Sequence, residues 1–281
     1  MAVSVVVPAH NEAAVIGRLL TGLLAGAQPG ELDVVVAANG CDDDTAAIAA
    51  SFGPAVRVVE LTAASKAAAL NAGDAAAHGF PRLYVDADVE LGVAAVRAVA
   101  AALQAGAAVA APRLRLELED RPRSVRAYYS VWARLPYAQR DLVGVGVYGL
   151  SAEARGRFEA FPDTMADDLF VRGLAGPAER RAVEGVWFTQ HPPASLASLV
   201  RVRARICGAN RSSRRAGLAP ARDGRVAYAR TLLALAARPR WWPALAVYAA
   251  VGGAARAAAR RGGAERWVRD ETARLAAAAA P

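Results

Sequence analysis

Asp86 and Asp88 are two carboxylates separated only by Ala87, and they follow the strand-like stretch RLYV. If RLYVDAD is a β-strand, alternate side chains point to opposite faces, so the two aspartates share a face and Ala87 points away. Two neighbouring carboxylates repel each other unless a positive group lies between them. A hard divalent cation such as Mg²⁺ or Mn²⁺ prefers oxygen ligands of this kind. Alone, such a pair is more often a solvated turn at a strand end, so its interpretation depends on its neighbours.

Three other polar stretches also follow apolar runs of strand type, namely PAHNE (8–12), ANGCDDDT (38–45) and TAASK (62–66). In open α/β sheets, ligands bind outside the carboxyl ends of the strands, where such stretches meet. Asn39 is suited to hydrogen-bond a nucleobase edge, and it is equally suited to a plain β-to-α turn. For the three aspartates at 42–44, a cap of the next helix is the simpler interpretation.

Lys66 is the only lysine in a chain whose other basic residues are arginines. It is predicted to open a helix, where spare backbone N–H groups favour anions, so its ammonium is placed to meet a phosphate. Chance survival of one lysine in an arginine-biased chain is the competing explanation.

Asp167 and Asp168, in MADDLFV, precede an apolar run. A carboxylate there is suited to act as a general base opposite a metal site, although acids at a helix N-terminus also complement the helix dipole. His10 is expected to line the pocket rather than to bind metal. His191, in TQHPP, is expected to be a surface-loop histidine, with metal ligation as the alternative.

The first 112 residues alternate between strand-like and helix-like segments. Continuous β-branched runs such as VSVVVPA predict strands buried on both faces, and segments with helical spacing of apolar residues lie between them. This alternation predicts right-handed βαβ units and a mainly parallel sheet flanked by helices, an α/β fold of Rossmann-like type. The ends of these strands are expected to bring the polar stretches together.

Three regions are predicted along the chain. Residues 1–112 form the regular α/β half, residues 113–200 form a less regular lobe, and residues 201–281 form a basic helical extension. The extension carries 17 arginines against four acids, a net charge of +13, whereas the first 200 residues carry a net charge of −5. The extension is therefore expected to meet something anionic.

Composition argues against several classes of protein. Two cysteines, Cys41 and Cys207, cannot build a disulfide framework and lack the spacing of a zinc site, which fits a reducing compartment. The N-terminal sequence MAVSVVVPAHNE lacks a basic region and reaches proline after a short apolar run, so it is predicted to be a first strand rather than a signal peptide. A cytoplasmic location is expected.

Peripheral contact with a membrane is predicted for residues 226–261. The apolar run 241–255 lies between Arg240 and Arg256, and as a helix it would rise about 22 Å, less than the ~30 Å of a hydrocarbon core. Tryptophans beside arginines are typical of interfacial anchoring, so the cytoplasmic face of an anionic leaflet is the expected partner. The alternative is a helix pair packed on the rest of the protein or on a second copy. The chain has no recognised nucleic-acid motif, so nucleic acid is not expected as a partner.

The order of these stretches resembles that of the family 2 glycosyltransferases, inverting nucleotide-sugar enzymes with a GT-A fold. PAHNE (8–12) is similar to the family's P-A-x-N-E, NGCDDDT (39–45) to its N-G-C-x-D-x-T, and KAAALN (66–71) to its K-x-x-A-L-N. DAD (86–88) is similar to its D-x-D, and Asp167-Asp168 to its E/D-D. The resemblance covers roughly residues 3–210, and the order and spacing of the five pieces together make it specific.

The resemblance implies a role for each matching position. The nucleotide-sugar would contact Pro8, Ala9, His10, Glu12, Asn39, Lys66, Asp86 and Ala87. Asp88, with Asp86, would hold Mn²⁺ or Mg²⁺, and Asp168 would be the catalytic base. The donor would be a UDP- or GDP-sugar, and the acceptor would be a small molecule, a lipid-linked molecule or a glycan, as in cell-envelope glycan biosynthesis.

Two positions depart from the family pattern. Asn39 replaces the family's base-binding aspartate, which weakens the inference that the base is uracil, because an amide both donates and accepts. VRARI (202–206) retains only the arginine of Q-x-x-R-W, which favours transfer of a single sugar over processive polymerisation.

The alternative to a metal-dependent, inverting hexosyltransferase is a non-catalytic protein of the same fold that binds a nucleotide-sugar or a membrane partner. A nucleotidyltransferase is disfavoured, because PAHNEAAV is not a glycine-rich, basic phosphate loop.

Overall fold

The computed structural model describes residues 2–136, 138, 146–218 and 225–261 of the chain. The chain divides into two compact units. The first comprises Met1–Arg115 with Val143–Gln190, and the second comprises Leu116–Leu142 with His191–Pro281.

The first unit is built on strands β1 (Val3–Ala9), β2 (Leu32–Asn39), β3 (Val56–Leu61), β4 (Arg82–Val85), β5 (Val89–Leu91), β6 (Val109–Leu116), β7 (Val147–Leu150) and β8 (Arg180–Gln190). Its helices are α1 (Ile16–Leu24), α2 (Thr45–Ala50), α3 (Lys66–Ala76), α4 (Val93–Gln104), α6 (Ala152–Arg155) and α7 (Asp167–Leu174), with short 3₁₀ turns at Gly53–Ala55 and Pro177–Glu179. The second unit contains helices α5 (Arg123–Trp132), α8 (Leu196–Arg215), α9 (Arg225–Ala236) and α10 (Trp242–Arg260), with a 3₁₀ turn at Pro239–Trp241.

The strands form one eight-stranded sheet in the order β3-β2-β1-β4-β7-β6-β8-β5. The strands β3, β2, β1 and β4 pair in parallel, whereas β7 is antiparallel to both of its neighbours and β5 is antiparallel to β8. The predicted α/β fold with helices flanking a Rossmann-like sheet is confirmed. The antiparallel pairs all involve β7 or β8, which lie beyond the regular alternation of the first 112 residues, so the alternation does not predict these pairs.

Strand β1 shows why its sequence is continuously apolar. Val5 and Val7 are fully buried in a core cluster that includes Leu19 and Leu20 of α1, and Val6 is fully buried in a second cluster on the opposite face with Leu70 of α3. Both faces of the strand are thus covered by helices, as in parallel sheets generally. Each such valine contributes about 1.5–3 kcal/mol by leaving water, so this strand fixes the centre of the fold.

The helices α5, α8 and α10 pack on one another in the second unit. Val251 and Ala255 of α10 are buried, and the ring of Tyr248 stacks on that of Tyr128 with a centroid distance of 5.1 Å. Helix α9 packs less extensively on these helices, although its Leu235 is buried. Among the described residues, no helix is both long enough and apolar enough to cross a membrane.

Candidate active site

The Asp86–Asp88 turn connects β4 to β5. The prediction that the strand continues through Asp88 is wrong, because β4 ends at Val85 and the next residues form a turn. The N–H of Asp86 donates to the carbonyl of Gly146 at 2.8 Å, and the side chain of Ala87 is 4% exposed and lies in the core. Ala87 therefore anchors the turn, while both aspartates remain half-buried at its surface.

Gly146 allows the chain to pass close to this turn. Its φ of 91° lies in the left-handed region that favours glycine. A Cβ at this position would lie 3.0 Å from Cγ1 of Val89 and 3.5 Å from Oδ2 of Asp86. Glycine at position 146 therefore preserves the space beside the Asp86 carboxylate.

Lys66 supplies a positive charge to these carboxylates. Its Nζ lies 2.9 Å from Oδ1 of Asp86 and 2.8 Å from Oδ1 of Asp167, and its side chain is 16% exposed. Burial alone would lower the pKa of Lys66, but the two carboxylates outweigh burial and raise it. The single lysine of the chain is thus a charged bridge between the β4–β5 turn and the start of α7.

Asp167 and Asp168 have different surroundings although they are adjacent. Asp167 is 3% exposed, and its Oδ2 accepts a hydrogen bond from the Tyr148 hydroxyl at 2.9 Å. Asp168 is half-buried, and its Oδ1 accepts the N–H of Leu169 at 2.7 Å. Burial, and after it the charge of Asp167, raise the pKa of Asp168 to about 7. Asp167 is therefore held in place, whereas Asp168 is accessible and has a pKa close to neutral pH.

The cluster contains more carboxylates than positive groups, with Lys66 as the ammonium among Asp86, Asp88 and Asp167. Burial raises the pKa of Asp86, the Lys66 charge opposes that rise, and the charges of Asp167 and Asp88 add to it, so the net shift is upward. A second positive charge beside Asp86 and Asp88 would stabilise their ionised forms. Their oxygens fit a hard divalent cation that is completed by water and phosphate oxygens. Among the described residues, no group of three or more His, Cys, Asp or Glu side chains could hold a metal by itself.

The predicted nucleoside residues lie at the ends of β1 and β2. His10 is 8% exposed, and its Nδ1 donates to the carbonyl of Asn39 at 2.7 Å. Glu12 is 6% exposed, and its backbone N–H donates to Oγ1 of Thr45 at 2.6 Å. These bonds fasten the PAHNE stretch to the loop that follows β2.

Asn39 is fully buried, and its side chain binds three backbone segments. Its Nδ2 donates to the carbonyl of Ala9 at 2.6 Å and more weakly to that of Ala37 at 3.4 Å, and its Oδ1 accepts the N–H of Ser65 at 3.0 Å. The amide thus joins the end of β1 to the residue that precedes Lys66. Among the predicted nucleotide-sugar contacts, Asn39, Ala9 and Ala87 turn their side chains into the protein, and Pro8 is also buried.

Gly40 brings the same two loops together. Its φ is 54°, and a Cβ there would lie 2.6 Å from the backbone nitrogen of Ala64, so a side chain at this position would force the loops apart. Its N–H donates to the carbonyl of Leu61 at 2.7 Å. The predicted convergence of the stretches 8–12, 38–45 and 62–66 is therefore seen directly in their hydrogen bonds.

Some residues of this region are missed by the sequence predictions. Tyr148 lies on the antiparallel strand β7, which the alternation does not predict, and Asp167 is predicted only as half of a pair. Asn71 is quoted in the K-x-x-A-L-N resemblance without a role, although its amide binds residue 161. His191, the proposed alternative metal ligand, follows β8 and lies in the second unit.

Comparison with known protein families gives a match over most of the first unit. The family model described as glycosyl transferase family 2 matches residues 4–158. No curated protein sequence matches the chain.

Several solved structures share the fold. The mannosyltransferase PcManGT from Pyrobaculum calidifontis, in complex with GDP-Man and Mn²⁺, is 25% identical with a TM-score of 0.61, and the match covers 99% of this chain and 85% of that one. Glucosyl-3-phosphoglycerate synthase from Mycobacterium tuberculosis, in complex with Mn²⁺, UDP and glucosyl-3-phosphoglycerate, is 20% identical with a TM-score of 0.54, covering 75% and 79%.

TarS from S. aureus is a third similar structure. Its 1–349 form is 18% identical with a TM-score of 0.51, and the match covers 74% of this chain and 64% of that one. The chain therefore spans just under two thirds of this TarS form, and it spans 40% of the longer TarS chain. The 1–349 form has also been solved in complex with UDP-GlcNAc.

Proposed function

The chain belongs to glycosyl transferase family 2, and we propose that it transfers a single sugar from a nucleotide-diphosphate donor to an acceptor hydroxyl with inversion at the anomeric carbon. The observation that carries this proposal is the cluster of charged side chains beyond the carboxyl end of β4. There, accessible Asp168 lies beside Asp167, which Lys66 joins to Asp86. The similar structures contain GDP-Man, UDP or UDP-GlcNAc, so a UDP- or GDP-sugar is the proposed donor.

Mn²⁺ or Mg²⁺ is the proposed cofactor, held by Asp88 with the support of Asp86. Bound there, a divalent cation would neutralise the charge that develops on the nucleotide diphosphate as it leaves. The two carboxylates fit this role because they are half-buried oxygen donors in one turn, and because the pKa of Asp86 is raised by burial and by neighbouring negative charge. Lys66 is a second positive group at the same place, suited to bind a phosphate oxygen.

Asp168 is the proposed general base. Asp167 already accepts from Tyr148 and pairs with Lys66, which leaves Asp168 as the accessible carboxylate. Its pKa of about 7 suits a group that takes a proton near neutral pH. Asp168 would take the acceptor hydroxyl proton while the oxygen attacks the anomeric carbon from the face opposite the leaving diphosphate, and this single displacement inverts the centre. No covalent nucleophile is needed.

The nucleoside is proposed to bind at the ends of β1 and β2, against His10 and Glu12 and the backbone of Pro8 and Ala9. Because the Asn39 amide is committed to backbone groups, we assign it the shaping of this pocket rather than a direct contact with a base edge. Residues 1–112 would thus supply the donor half of the site. Residues 113–200 would supply the acceptor half, for a small-molecule, lipid-linked or glycan acceptor, and residues 201–281 the basic extension.

A panel of UDP- and GDP-sugars with Mn²⁺ or Mg²⁺ tests the activity, with release of the nucleoside diphosphate as the signal. Asp88→Ala is expected to abolish turnover, and Asp86→Ala is expected mainly to weaken donor binding. Glu60→Ala, an exposed acid on β3, is the control and should behave as wild type.

Two outcomes of this panel would contradict the proposal. Equal effects of Asp86→Ala and Asp88→Ala would refute the division of roles between them. Donor binding with no turnover in the wild-type chain, and unchanged binding in Asp168→Asn, would favour the non-catalytic alternative.

Helix α9 and the start of α10 are proposed to contact an anionic membrane surface. Leu233, Val226 and Trp242 are 70%, 64% and 61% exposed, and Nε1 of Trp242 donates to the carbonyl of Ala236 at 2.9 Å, which joins Trp242 to the end of α9. Val226 and Leu233 are seven residues apart and therefore share a helix face. Large exposed apolar side chains in one segment mark contact surfaces.

The charge of the same segment favours lipid over other partners. Residues 224–264 contain seven arginines and no Asp or Glu, and Arg230, Arg238 and Arg240 are exposed. Apolar side chains inserted at the interface and arginines at the headgroups are the typical combination of peripheral attachment. Because α10 buries Val251 and Ala255 within the second unit, the contact is assigned to α9 and Trp242 rather than to the whole 241–255 run. The proposed location is the cytoplasmic face of the membrane.

Vesicle co-sedimentation of the full chain tests this contact. Phosphatidylglycerol-containing vesicles should bind the chain, and pure phosphatidylcholine vesicles should not. Leu233→Asp should weaken binding strongly, whereas Leu196→Asp, which changes another exposed leucine of the same unit, should not. Arg238→Ala/Arg240→Ala should lower the affinity by roughly tenfold or more, and Arg123→Ala/Arg126→Ala, with the same loss of charge, should have little effect. Equal effects of the paired variants would contradict the assignment of this surface.

A further inference from the structure

The amide of Asn71 pairs with the backbone of Phe161, ninety positions further along the chain. Its Nδ2 donates to the Phe161 carbonyl at 3.0 Å, and its Oδ1 accepts the Phe161 N–H at 2.7 Å. One side chain thus satisfies both backbone groups of a single residue, as a neighbouring strand would. Asn71 lies on α3, the helix that begins with Lys66.

A second polar link joins α3 to the same segment. Asp74 of α3 pairs with Arg155 at 2.8 Å. The guanidinium of Arg155 also donates to the carbonyl of Phe158 at 2.6 Å and to that of Glu159 at 3.0 Å. Asp74 is 7% exposed, so this link is largely shielded from water. Residues 155–161 are therefore fastened to α3 at two places.

The fastened segment leads directly to the proposed base. Phe161 is 3% exposed, and its ring packs edge-on against Tyr84 with a centroid distance of 5.0 Å. Residues 162–166 then connect it to Asp167, where Lys66 makes its ion pair at 2.8 Å. Helix α3 thus holds the connection at both ends, through Asn71 at its start and through Lys66 at its finish.

From this geometry we infer that Asn71 is a positioning residue for Asp168. It sets the point from which the 162–166 connection starts, and Lys66 sets the point at which α7 begins. The inference rests on the proposed function, because it gives Asn71 a role in the step that Asp168 performs. A misplacement of about 1 Å at a reacting group costs up to about a hundredfold in rate, so loss of the Asn71 bonds should affect turnover more than donor binding.

Steady-state kinetics of Asn71→Ala tests the inference. We expect kcat to fall by about tenfold to a hundredfold, while the KM for the donor and its dissociation constant stay unchanged. The matched control is Ser4→Ala. Like Asn71, Ser4 makes two side-chain hydrogen bonds, donating to Asp33 at 2.8 Å and accepting from the N–H of Gly79 at 2.9 Å, and it is fully buried whereas Asn71 is half-buried. It lies near the opposite end of β1 from the site, so its loss should leave kcat unchanged.

Hydrogen exchange followed by mass spectrometry gives a measurement that does not depend on activity. Peptides covering residues 158–168 should exchange faster in Asn71→Ala than in wild type, and they should be unaffected in Ser4→Ala. A general loss of stability would instead raise exchange across the whole sheet. Arg155→Lys is the second variant, because it keeps a positive charge beside Asp74 but cannot reach both carbonyls at once, and a smaller fall in kcat is expected.

The outcomes separate this inference from the proposed function. Faster exchange at 158–168 with an unchanged kcat would overturn the positioning role and leave the glycosyltransferase proposal intact. An equal rise in donor KM and fall in kcat would assign Asn71 to donor binding and also overturn it. If the wild-type chain turns over no nucleotide-sugar, the proposed function fails, and the inference fails with it.

Discussion

The two sides of the candidate site are held together by different chemistry. On the side of β1 and β2, which we call the neutral side, the uncharged amide of Asn39 binds backbone groups of Ala9 and Ser65. On the side of β4 and α7, charged groups bind each other, with Lys66 between Asp86 and Asp167. Neutral hydrogen bonds fix a shape at any pH, whereas buried charges respond to protons and cations. The nucleoside is therefore expected to bind in a pocket whose shape does not change with pH. The reacting groups are expected to lie where protons and cations can change the charge of the side chains.

Asp168→Asn should have the largest effect. Replacing a general base with a neutral isostere removes a contribution of about 10²–10⁴ to the rate, so kcat should fall by that factor. Donor binding should persist, because Asp168 is proposed to take the proton of the acceptor hydroxyl and not to hold the donor. The measurement is nucleotide release under saturating donor, together with donor affinity by calorimetry. Asp163→Asn, at an exposed acid of the same segment, is the control, and an equal fall in that variant would mean that Asp168 has no special role.

Lys66→Met should have the next largest effect, on stability. The side chain of Lys66 is 16% exposed and that of Asp167 is 5% exposed, so its loss leaves buried negative charge uncompensated. Removing one partner of a buried pair typically costs about 3–5 kcal/mol, which urea unfolding would measure. Mn²⁺ should stabilise this variant more than it stabilises wild type, since it supplies the missing charge.

Arg97→Met is the matched control for this variant. It breaks an exposed pair with Glu31 rather than a buried one, so the free energy of unfolding should change little. A similar loss in both variants would mean that burial of the Lys66 cluster carries no particular cost.

The sequence predicts local features on both sides of the site. A continuous run such as VSVVVPA predicts β1 from residue 3 to residue 9, and the structure has the strand at Val3–Ala9. Lys66 opens its helix as predicted. These features are local, since each depends on apolar spacing or on a turn within a few residues.

The features that the sequence does not predict depend on contacts between distant segments. Strand β7 has only four residues, and it joins the sheet between two strands that lie far from it in sequence. The Asp86–Asp88 turn follows from the bond to Gly146, sixty positions away. The orientation of Asn39 depends on a bond to Ser65, and the role of Asn71 depends on Phe161. Residue types alone identify these positions as polar, but they do not show which backbone each one meets.

Asn39→Ala should have a moderate effect on stability that does not depend on pH. It leaves the carbonyl of Ala9 and the N–H of Ser65 buried without this partner, which typically costs about 1–3 kcal/mol. Because no charge is lost, the difference in unfolding free energy from wild type should be the same between pH 6 and pH 8 within experimental error. Urea unfolding at several pH values measures it. A difference that varies strongly with pH would show that the neutral side is coupled to the charged one.

The pH dependence of turnover tests the charged side in the wild-type chain, without any substitution. Burial and the charge of Asp167 raise the pKa of Asp168 to about 7, and only the ionised carboxylate accepts a proton. Activity should therefore be low in acid, rise about tenfold per pH unit below neutrality and level off above it. Because the pKa of Asp168 is raised, the increase in activity should occur near neutral pH. An aspartate with an ordinary pKa would already be ionised over the whole range tested and would give no such increase. The check is kcat from pH 5.5 to 8.5 at a fixed metal concentration. A flat profile over this range would mean that Asp168 is solvated in the working enzyme, and the contrast between a neutral donor side and a charge-regulated base side would then lose its main support.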